Sequence, residues 1–422
     1  MFSVRTKWVL AHNPLTRAIE EARGRGAKIL DLTVSNPTRV DLEYDSQAIL
    51  ASLQSPRALD YDPQAKGLLQ ARQAVAEYYD IEHAVRDLDP ERIVLTTSTS
   101  EGYSFVFRLL CNAGDELLVP KPSYPLFEFL ADLQDVKLVP YPLIYDHGWQ
   151  MDFPSLEKAV TPRTRGVVVV HPNNPTGSYV KAAEVEQLNA LCRKHGLAVI
   201  VDEVFLDYPL LDYPLDYALK DHPLSGGKPN GRSNRQDAQF DPKWTKKCQH
   251  LAKNSAVLTF TLSGLSKVSA LPQMKVAWVI TTGPEDQVAA AMARLEVIAD
   301  TYLSMNAPMQ WAIPALLEQR KSIQKQLLAR IEANLSELDR QLAAQTAGQR
   351  LEVEGGWYAV LRVPVTKSDE ELVIELVREK SVLVHPGHFY DFPTDGYLIV
   401  SLIAVKEEFG NGISRVLAYL NS

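Results

Sequence analysis

Short runs of apolar residues alternate with amphipathic segments along most of the chain. Two of these runs, VVVV at 167–170 and AVIV at 198–201, contain no polar residue. Strands that are buried on both faces of a parallel sheet have this pattern, because helices cover both sides of the sheet. Helical periodicity between the apolar runs, for example after Gly67, completes the alternation of an α/β fold. We therefore predict a three-layer fold with a mainly parallel central sheet of seven strands.

The pattern changes after a long helical stretch at 308–347, where a smaller α+β domain is predicted. Its predicted elements are a strand-like segment, a helix, two strands and a last helix, at 351–363, 368–379, 381–385, 397–404 and 406–420. The predicted divisions of the chain are an N-terminal arm, a small domain in two pieces and a large domain, at 1–13, 14–39 with 305–422, and 40–304. Residues 209–253 are rich in glycine, serine, asparagine and charge, which predicts a mobile insertion on the large domain.

Composition and charge exclude several classes of protein. The 422 residues include 44 Lys and Arg against 52 Asp and Glu, a net charge of −8, without a cluster of basic residues, so nucleic acid is not an expected partner. The cysteines, Cys111, Cys192 and Cys248, are far apart and form no CxxC motif, which argues against a disulfide framework and a zinc site. No apolar run reaches the length of about 18 residues that a membrane span needs. We therefore predict a cytoplasmic protein without a metal or a membrane partner.

Three segments carry polar residues directly after an apolar strand pattern. They are VVVVHPNNPTG with Asn174, VIVDEVF with Asp202, and FTLSGLSKVSALPQMKVAW with Lys267. Each residue alone has an ordinary structural explanation, since Asn-Pro forms turns, aspartates cap helices and most lysines are solvated. Ligands of parallel sheets bind outside the carboxyl ends of the strands, so we expect the three side chains to converge on one pocket.

In combination these motifs resemble the fold-type I pyridoxal-phosphate-dependent enzymes, specifically the class I/II aminotransferase family, from about Asp31 to the C-terminus. The resemblance implies pyridoxal 5'-phosphate as the cofactor and catalytic roles for Lys267 and Asp202. Lys267 would form an imine with the cofactor aldehyde, which suits an amine whose pKa is lowered by burial and by the nearby cation Lys275. Asp202 would keep the pyridine nitrogen protonated, so that the ring accepts electrons. Asn174 would donate a hydrogen bond to the ring hydroxyl.

The segment TTSTSEGYSFVFRLL predicts an anion site at the start of a helix. Ser98, Thr99 and Ser100 stand where a strand passes into this helix, and helix N-termini with small hydroxyl residues bind phosphate. The alternative is that these residues only cap the helix. The resemblance assigns the accompanying cation to Lys275, eight residues after Lys267, where relatives more often have arginine. A lysine ammonium binds phosphate as a single point charge, whereas an arginine guanidinium can form two parallel hydrogen bonds with it.

Two aromatic residues complete the site that the resemblance implies. Tyr124 in PKPSYPLFEF stands where the family stacks a ring on the cofactor, and a tyrosine of the core or the rim is the alternative. Tyr61 in YDPQAKG resembles the tyrosine that reaches the phosphate of the neighbouring subunit. This second correspondence implies a homodimer with shared active sites.

Three positions depart from the family pattern. Phe205 replaces a tyrosine that donates to the ring oxygen, and Gly264 replaces a serine for the phosphate. Ile399 in GYLIVSL replaces the arginine that binds the substrate α-carboxylate. Arg39 in SNPTRV and Arg362 in VLRVP are candidate substitutes for that arginine, although each also fits a surface or interdomain ion pair.

The residue that binds the substrate carboxylate decides which bond at the α-carbon is weakened. Because the usual arginine is absent at Ile399, the sequence indicates the cofactor more firmly than the type of reaction. The favoured function is amino transfer between an amino acid and a 2-oxo acid, by a ping-pong mechanism through the Lys267 imine. One alternative is a carbon–sulfur β-lyase or another α,β-eliminase of the same fold. An alternative of a different class is a binding or regulatory protein that keeps the scaffold without turnover.

Overall fold

The computed structural model describes residues 2–8, 10–11, 13–124, 127–210 and 250–422. Within these ranges the strands, in chain order, are β1 (Leu30–Asp31), β2 (Ile93–Thr96), β3 (Glu116–Lys121), β4 (Lys137–Tyr145), β5 (Trp149–Met151), β6 (Thr164–Val170), β7 (Ala198–Asp202), β8 (Thr259–Gly264), β9 (Ala277–Thr282), β10 (Gln349–Arg350), β11 (Tyr358–Arg362), β12 (Val382–Leu383), β13 (His385–Pro386) and β14 (Tyr397–Ser401). The α-helices are α1 (Pro14–Gly24), α2 (Ser46–Ser52), α3 (Leu69–His83), α4 (Thr99–Leu110), α5 (Phe127–Leu133), α6 (Phe153–Ala159), α7 (Ala182–His195), α8 (Leu265–Val268), α9 (Glu285–Tyr302), α10 (Ala307–Glu318), α11 (Arg320–Leu342), α12 (Asp369–Glu375) and α13 (Lys406–Leu420).

The larger sheet has eight strands in the order β2-β9-β8-β7-β6-β3-β4-β5. Only β9 and β5 run against the other strands, which confirms the predicted α/β fold with a mainly parallel sheet. The predicted number of seven strands is wrong by one. The strand β5 has three residues whose burial alternates, a pattern too short to be recognised in the sequence.

The strand β6 shows why the valine run indicates a strand buried on both faces. Val168 and Val170 belong to a core formed with α4, α5 and α9. Val167 and Val169 belong to a different core, formed with α6 and α7 on the opposite face. Successive side chains of a strand point to opposite faces, so four valines in a row serve two cores.

The smaller body contains an antiparallel sheet of order β10-β11-β14-β13 and the parallel pair β1-β12. Its core includes residues of α1, α11, α12 and α13. Helix α10 packs its apolar face, with Ala312 and Ile313, into the core that contains Tyr79 and Trp278 of the large body. The predicted helical stretch at 308–347 is correspondingly two helices, α10 and α11, separated at Gln319.

Backbone hydrogen bonds hold the described residues on either side of 211–249 in place. The Leu210 N–H donates to the Glu354 carbonyl (3.1 Å), and the Leu251 N–H donates to Glu203 Oε1 (3.0 Å). Residues 211–249, most of the insertion predicted at 209–253, lie outside the described residues. Among the helices of the described ranges, none is long and apolar enough to cross a membrane.

The described part of the N-terminal arm lies against α5. The Trp8 ring packs edge-on against Phe129, with the ring centroids 5.4 Å apart. The Trp8 indole N–H donates to Asp132 Oδ2 (2.9 Å). The arm ends at Asn13, whose side chain accepts from the Thr16 N–H and caps α1, as the Asn-Pro pair predicts.

Candidate active site

Asn174, Asp202 and Lys267 follow three strands that are neighbours in the large sheet. Strand β7 lies between β6 and β8, and all three are parallel. Val170, the last residue of β6, pairs with Asp202, the last residue of β7. The chain after each strand therefore emerges at the same edge, where α/β proteins bind ligands.

Lys267 lies in the short helix α8, directly after β8. Its amine lies over the ring of Trp357 at 4.6 Å from the centroid and over Phe205 at 5.4 Å. Burial lowers the pKa of the Lys267 amine to about 8, and the negative charge of Asp202 opposes this change. A substantial fraction of the amine is therefore neutral near pH 8, which is the form that acts as a nucleophile and base.

Asp202 is buried and has a fixed donor on each carboxylate oxygen. The Val204 N–H donates to Oδ1 (3.0 Å), and the Tyr103 hydroxyl donates to Oδ2 (3.1 Å). Burial raises the pKa of Asp202 to about 6, while these two hydrogen bonds and the charge of Lys267 act in the opposite direction. Asp202 is thus mostly ionised at pH 7 in spite of its burial.

The two asparagines of the turn after β6 differ in their surroundings. Asn173 is held inside the turn, because its amide donates to the Pro122 carbonyl (3.1 Å) and to Thr176 (2.9 Å) and its oxygen accepts from Ser123 (2.9 Å). Asn174 is also buried, but its Oδ1 has no hydrogen-bond partner within the described part of the chain. A buried amide without such a partner is costly, and a bound polar ligand would satisfy it.

The candidate phosphate site is the N-terminus of α4. Ser98 caps this helix by accepting from the Glu101 N–H (3.1 Å), and Thr99 and Ser100 are its first residues. The first N–H groups of a helix have no acceptor inside the helix. Strands β2 and β9 pair antiparallel with Thr96 opposite Ala277. Lys275 is exposed and precedes Ala277 by two residues, and Ser98 follows Thr96 by two residues. The segment that carries Lys275 and the segment that leads into α4 therefore leave the sheet at the same edge.

Tyr124 and Tyr61 lie in different surroundings. Burial and the charge of Asp202 raise the pKa of the Tyr124 hydroxyl to about 12, so Tyr124 is close enough to Asp202 to sense its charge. Tyr61 is 85% exposed, which leaves its ring accessible to a second copy of the chain.

The three departures from the family pattern have structural counterparts. The Phe205 ring packs edge-on against Trp357, with the two ring centroids 5.3 Å apart. The hydroxyl of a tyrosine at this position would therefore be added to a ring that packs in an aromatic cluster. Gly264 is in close contact with β9, because an added Cβ would lie 2.7 Å from the Val276 carbonyl oxygen, so a serine does not fit there. Strand β14, with Ile399 fully buried, contains no basic residue.

Arg39 is exposed at the end of a 3-10 helix, four residues after Ser35. The Ser35 side chain is close enough to influence the pKa of the Tyr358 hydroxyl. The centroid of the Tyr358 ring lies 6.3 Å from that of Phe205, which the Lys267 amine also contacts. The segment that leads to Arg39 therefore begins near the residues that surround the Lys267 amine.

Arg362 lies at the other end of β11, where it is exposed and contacts Tyr397. It is four residues from Tyr358, or about 13 Å along an extended strand. The structure does not bring Arg362 to the pocket that contains Lys267.

Sequence reasoning missed two residues of the site, Tyr103 and Trp357. Tyr103 is far from Asp202 in sequence. Because it lies on the apolar face of a helix, about one turn after the start, the sequence pattern predicts only that it packs in the core. The signal that could have found it is the preceding Gly102, whose missing Cβ would lie 2.9 Å from Val279. This glycine lets α4 approach the sheet closely, so that the next side chain reaches the strand ends.

The residues at this edge fit the cofactor that the sequence resemblance implies. They include a partly neutral amine, a buried carboxylate and a buried amide. The N-terminus of α4 and the exposed Lys275 are the candidates for the anion site. These are the groups that pyridoxal 5'-phosphate needs at its aldehyde, ring nitrogen, ring oxygen and phosphate.

Comparisons with known proteins identify the family of this chain. The family model described as aminotransferase class I and II matches residues 27–405. The glutamate-pyruvate aminotransferase AlaA of Haemophilus influenzae is 28% identical over 420 residues, which are 97% of this chain and 94% of that protein. AlaA of Escherichia coli is 25% identical over 402 residues, with 93% and 91% covered. The solved structure of an alanine aminotransferase from Pyrococcus furiosus has a TM-score of 0.83 at 21% identity and covers 100% of both chains. This chain belongs to the class I and II aminotransferase family, which uses pyridoxal 5'-phosphate.

Proposed function

We propose that this protein transfers an amino group from an amino acid to a 2-oxo acid by a ping-pong mechanism, with Lys267 as its catalytic base and covalent cofactor residue. The observation that carries the proposal is the partly neutral Lys267 amine beside the buried Asp202 carboxylate. When bound, pyridoxal 5'-phosphate supplies a ring that withdraws electrons from the substrate α-carbon.

The residues of the chain divide the remaining work. The Lys267 amine, with a pKa of about 8, would take up the α-proton of the substrate and give it back later in the reaction. The Asp202 carboxylate would pair with a protonated ring nitrogen, and the Asn174 amide would donate to the ring oxygen. Ser98, Thr99, Ser100 and Lys275 would hold the phosphate, and Tyr124 would contact the ring.

The substrates are proposed from chemistry and from the relatives. Two relatives are named glutamate-pyruvate aminotransferases, so glutamate with pyruvate is the first pair to assay. Since β14 contains no basic residue, Arg39 is our candidate for the substrate carboxylate. The exposed Tyr61 supports a homodimer in which each subunit completes the partner's phosphate site, and the widely spaced cysteines support a cytoplasmic location.

The amino-transfer reaction is tested by supplying the donor with and without an acceptor. With a donor alone, the purified protein is expected to release one equivalent of 2-oxo acid per active site and then stop, with a single change in cofactor absorbance. Addition of pyruvate restarts turnover. Continued release of ammonia and pyruvate without an acceptor, from an amino acid such as cysteine that has a leaving group on its β-carbon, would identify an eliminase. Unchanged absorbance with every amino acid tried would indicate a protein without turnover.

A further inference from the structure

We infer that Tyr103 is a positioning residue for Asp202: its hydroxyl fixes the carboxylate and keeps it ionised so that it can pair with the ring nitrogen of the cofactor. The inference rests on the proposed function and adds to it a residue to which the family resemblance assigns no role.

The contact itself is buried and specific. Tyr103 is 2% exposed and Asp202 is 7% exposed, and the hydroxyl donates to Oδ2 at 3.1 Å. The Val204 N–H occupies the other oxygen. The two donors come from different elements, α4 and the turn after β7, so together they fix both the position and the rotation of the carboxylate.

The helix that carries Tyr103 also carries the candidate phosphate site. Thr99 begins α4, and Tyr103 lies four residues later, or about 6 Å along the helix axis. Gly102 permits the close approach of this helix to β8 and β9. One rigid element therefore positions both the anion site and the partner of the carboxylate that faces the ring nitrogen.

The charge balance around Asp202 explains why a donor is needed. Burial favours the neutral acid, and the neighbouring Glu203 is itself buried. Lys267 favours the carboxylate, but this support weakens when the amine is neutral or joined to the cofactor. The Tyr103 hydroxyl keeps its proton over the whole working range, because burial and Asp202 raise its pKa, so it donates at every pH at which Asp202 titrates. Tyr124, also protonated in this range, and Glu203 are further titratable groups that sense the charge of Asp202.

The test is the pH dependence of cofactor binding by full-length Tyr103→Phe. Loss of the donor raises the pKa of Asp202, so binding of pyridoxal 5'-phosphate should begin to weaken about one pH unit higher than in the wild type, since a hydrogen bond to a charged group is worth roughly tenfold or more in an equilibrium constant. The dissociation constant should rise about fivefold near pH 6, approach a tenfold rise near pH 5, and change little at pH 8.5. Tyr141→Phe is the matched control, because Tyr141 is equally buried and donates to the Val168 carbonyl (2.9 Å); it should follow the wild-type curve.

A second measurement separates action through Asp202 from a direct or purely structural role. In an Asp202→Asn background, Tyr103→Phe should leave the dissociation constant unchanged. An equal loss of binding at all pH values, or the same loss in the Asp202→Asn background, would overturn the inference. A protein that binds no pyridoxal 5'-phosphate at any pH would instead refute the proposed function.

Discussion

Asp202 and Lys267 lie after neighbouring parallel strands, and each stabilises the charged form of the other. Burial acts against both charges and is the stronger effect, so it raises the pKa of Asp202 to about 6 and lowers the pKa of Lys267 to about 8. Both groups therefore change protonation close to neutral pH, which is the range in which a proton can be taken up and returned during catalysis.

The first prediction concerns the pH dependence of cofactor attachment. Only the neutral Lys267 amine reacts with the cofactor aldehyde, so the attachment rate should rise about tenfold per pH unit below pH 8 and level off above it. The reaction of Nα-acetyllysine, with an ordinary pKa of about 10.4, is the reference and should continue to rise. Stopped-flow absorbance measures both rates. A protein profile that climbs to pH 10 without a break would contradict a lowered pKa at Lys267.

The second prediction concerns the cation beside the phosphate site. Lys275→Ala should raise the dissociation constant of pyridoxal 5'-phosphate by about ten- to a hundredfold, because a charge-assisted hydrogen bond is lost. Lys275→Arg should tighten binding, since a guanidinium binds phosphate with two parallel hydrogen bonds. The exposed Lys28 (side chain 82% exposed) supplies the control Lys28→Ala, which should bind normally. Equal affinities for all three variants would remove Lys275 from the site.

The third prediction compares the two arginines that could replace the missing carboxylate clamp. Arg39→Ala should raise the KM for the amino donor by about tenfold or more with a smaller change in kcat, because it removes a charged contact with the substrate. Arg362→Ala should leave both constants near their wild-type values, since Arg362 lies at the far end of β11. Steady-state kinetics with glutamate and pyruvate measure both. The opposite ranking of the two variants would reject Arg39.

The fourth prediction tests a shared active site in a homodimer. Tyr61→Ala and Lys267→Ala remove residues that belong to opposite subunits of one site, so each mixed dimer keeps one intact site of two. After subunit exchange, an equimolar mixture should therefore regain about one quarter of wild-type activity per chain. Asp202→Ala mixed with Lys267→Ala is the control and should regain none, because both residues come from the same subunit. Absence of recovery in the first mixture would place Tyr61 outside the partner's site.

The fold and the central residues of the site were accessible from the sequence for one physical reason. Apolar runs such as VVVV at 167–170 are required where helices cover both faces of a sheet. In such sheets the residue that follows each run lies at the ligand-binding edge. Asn174, Asp202 and Lys267 could therefore be grouped without coordinates.

The remaining features depend on packing that a sequence does not encode locally. Tyr103 contacts Asp202 because α4 lies close to the sheet. The residues around Tyr103 in the sequence do not predict this hydrogen bond. Helical periodicity predicts α10 but does not show which core receives its apolar face. Arg362 matched the required charge, but only the strand register shows that it lies at the far end of β11.

The most direct test of the central assignment is borohydride reduction of the protein in the presence of pyridoxal 5'-phosphate, followed by peptide mass mapping. Reduction should fix one cofactor per chain on Lys267, and Lys267→Ala should carry none while retaining its fold. A label on a different lysine, or an undiminished label in Lys267→Ala, would contradict the account.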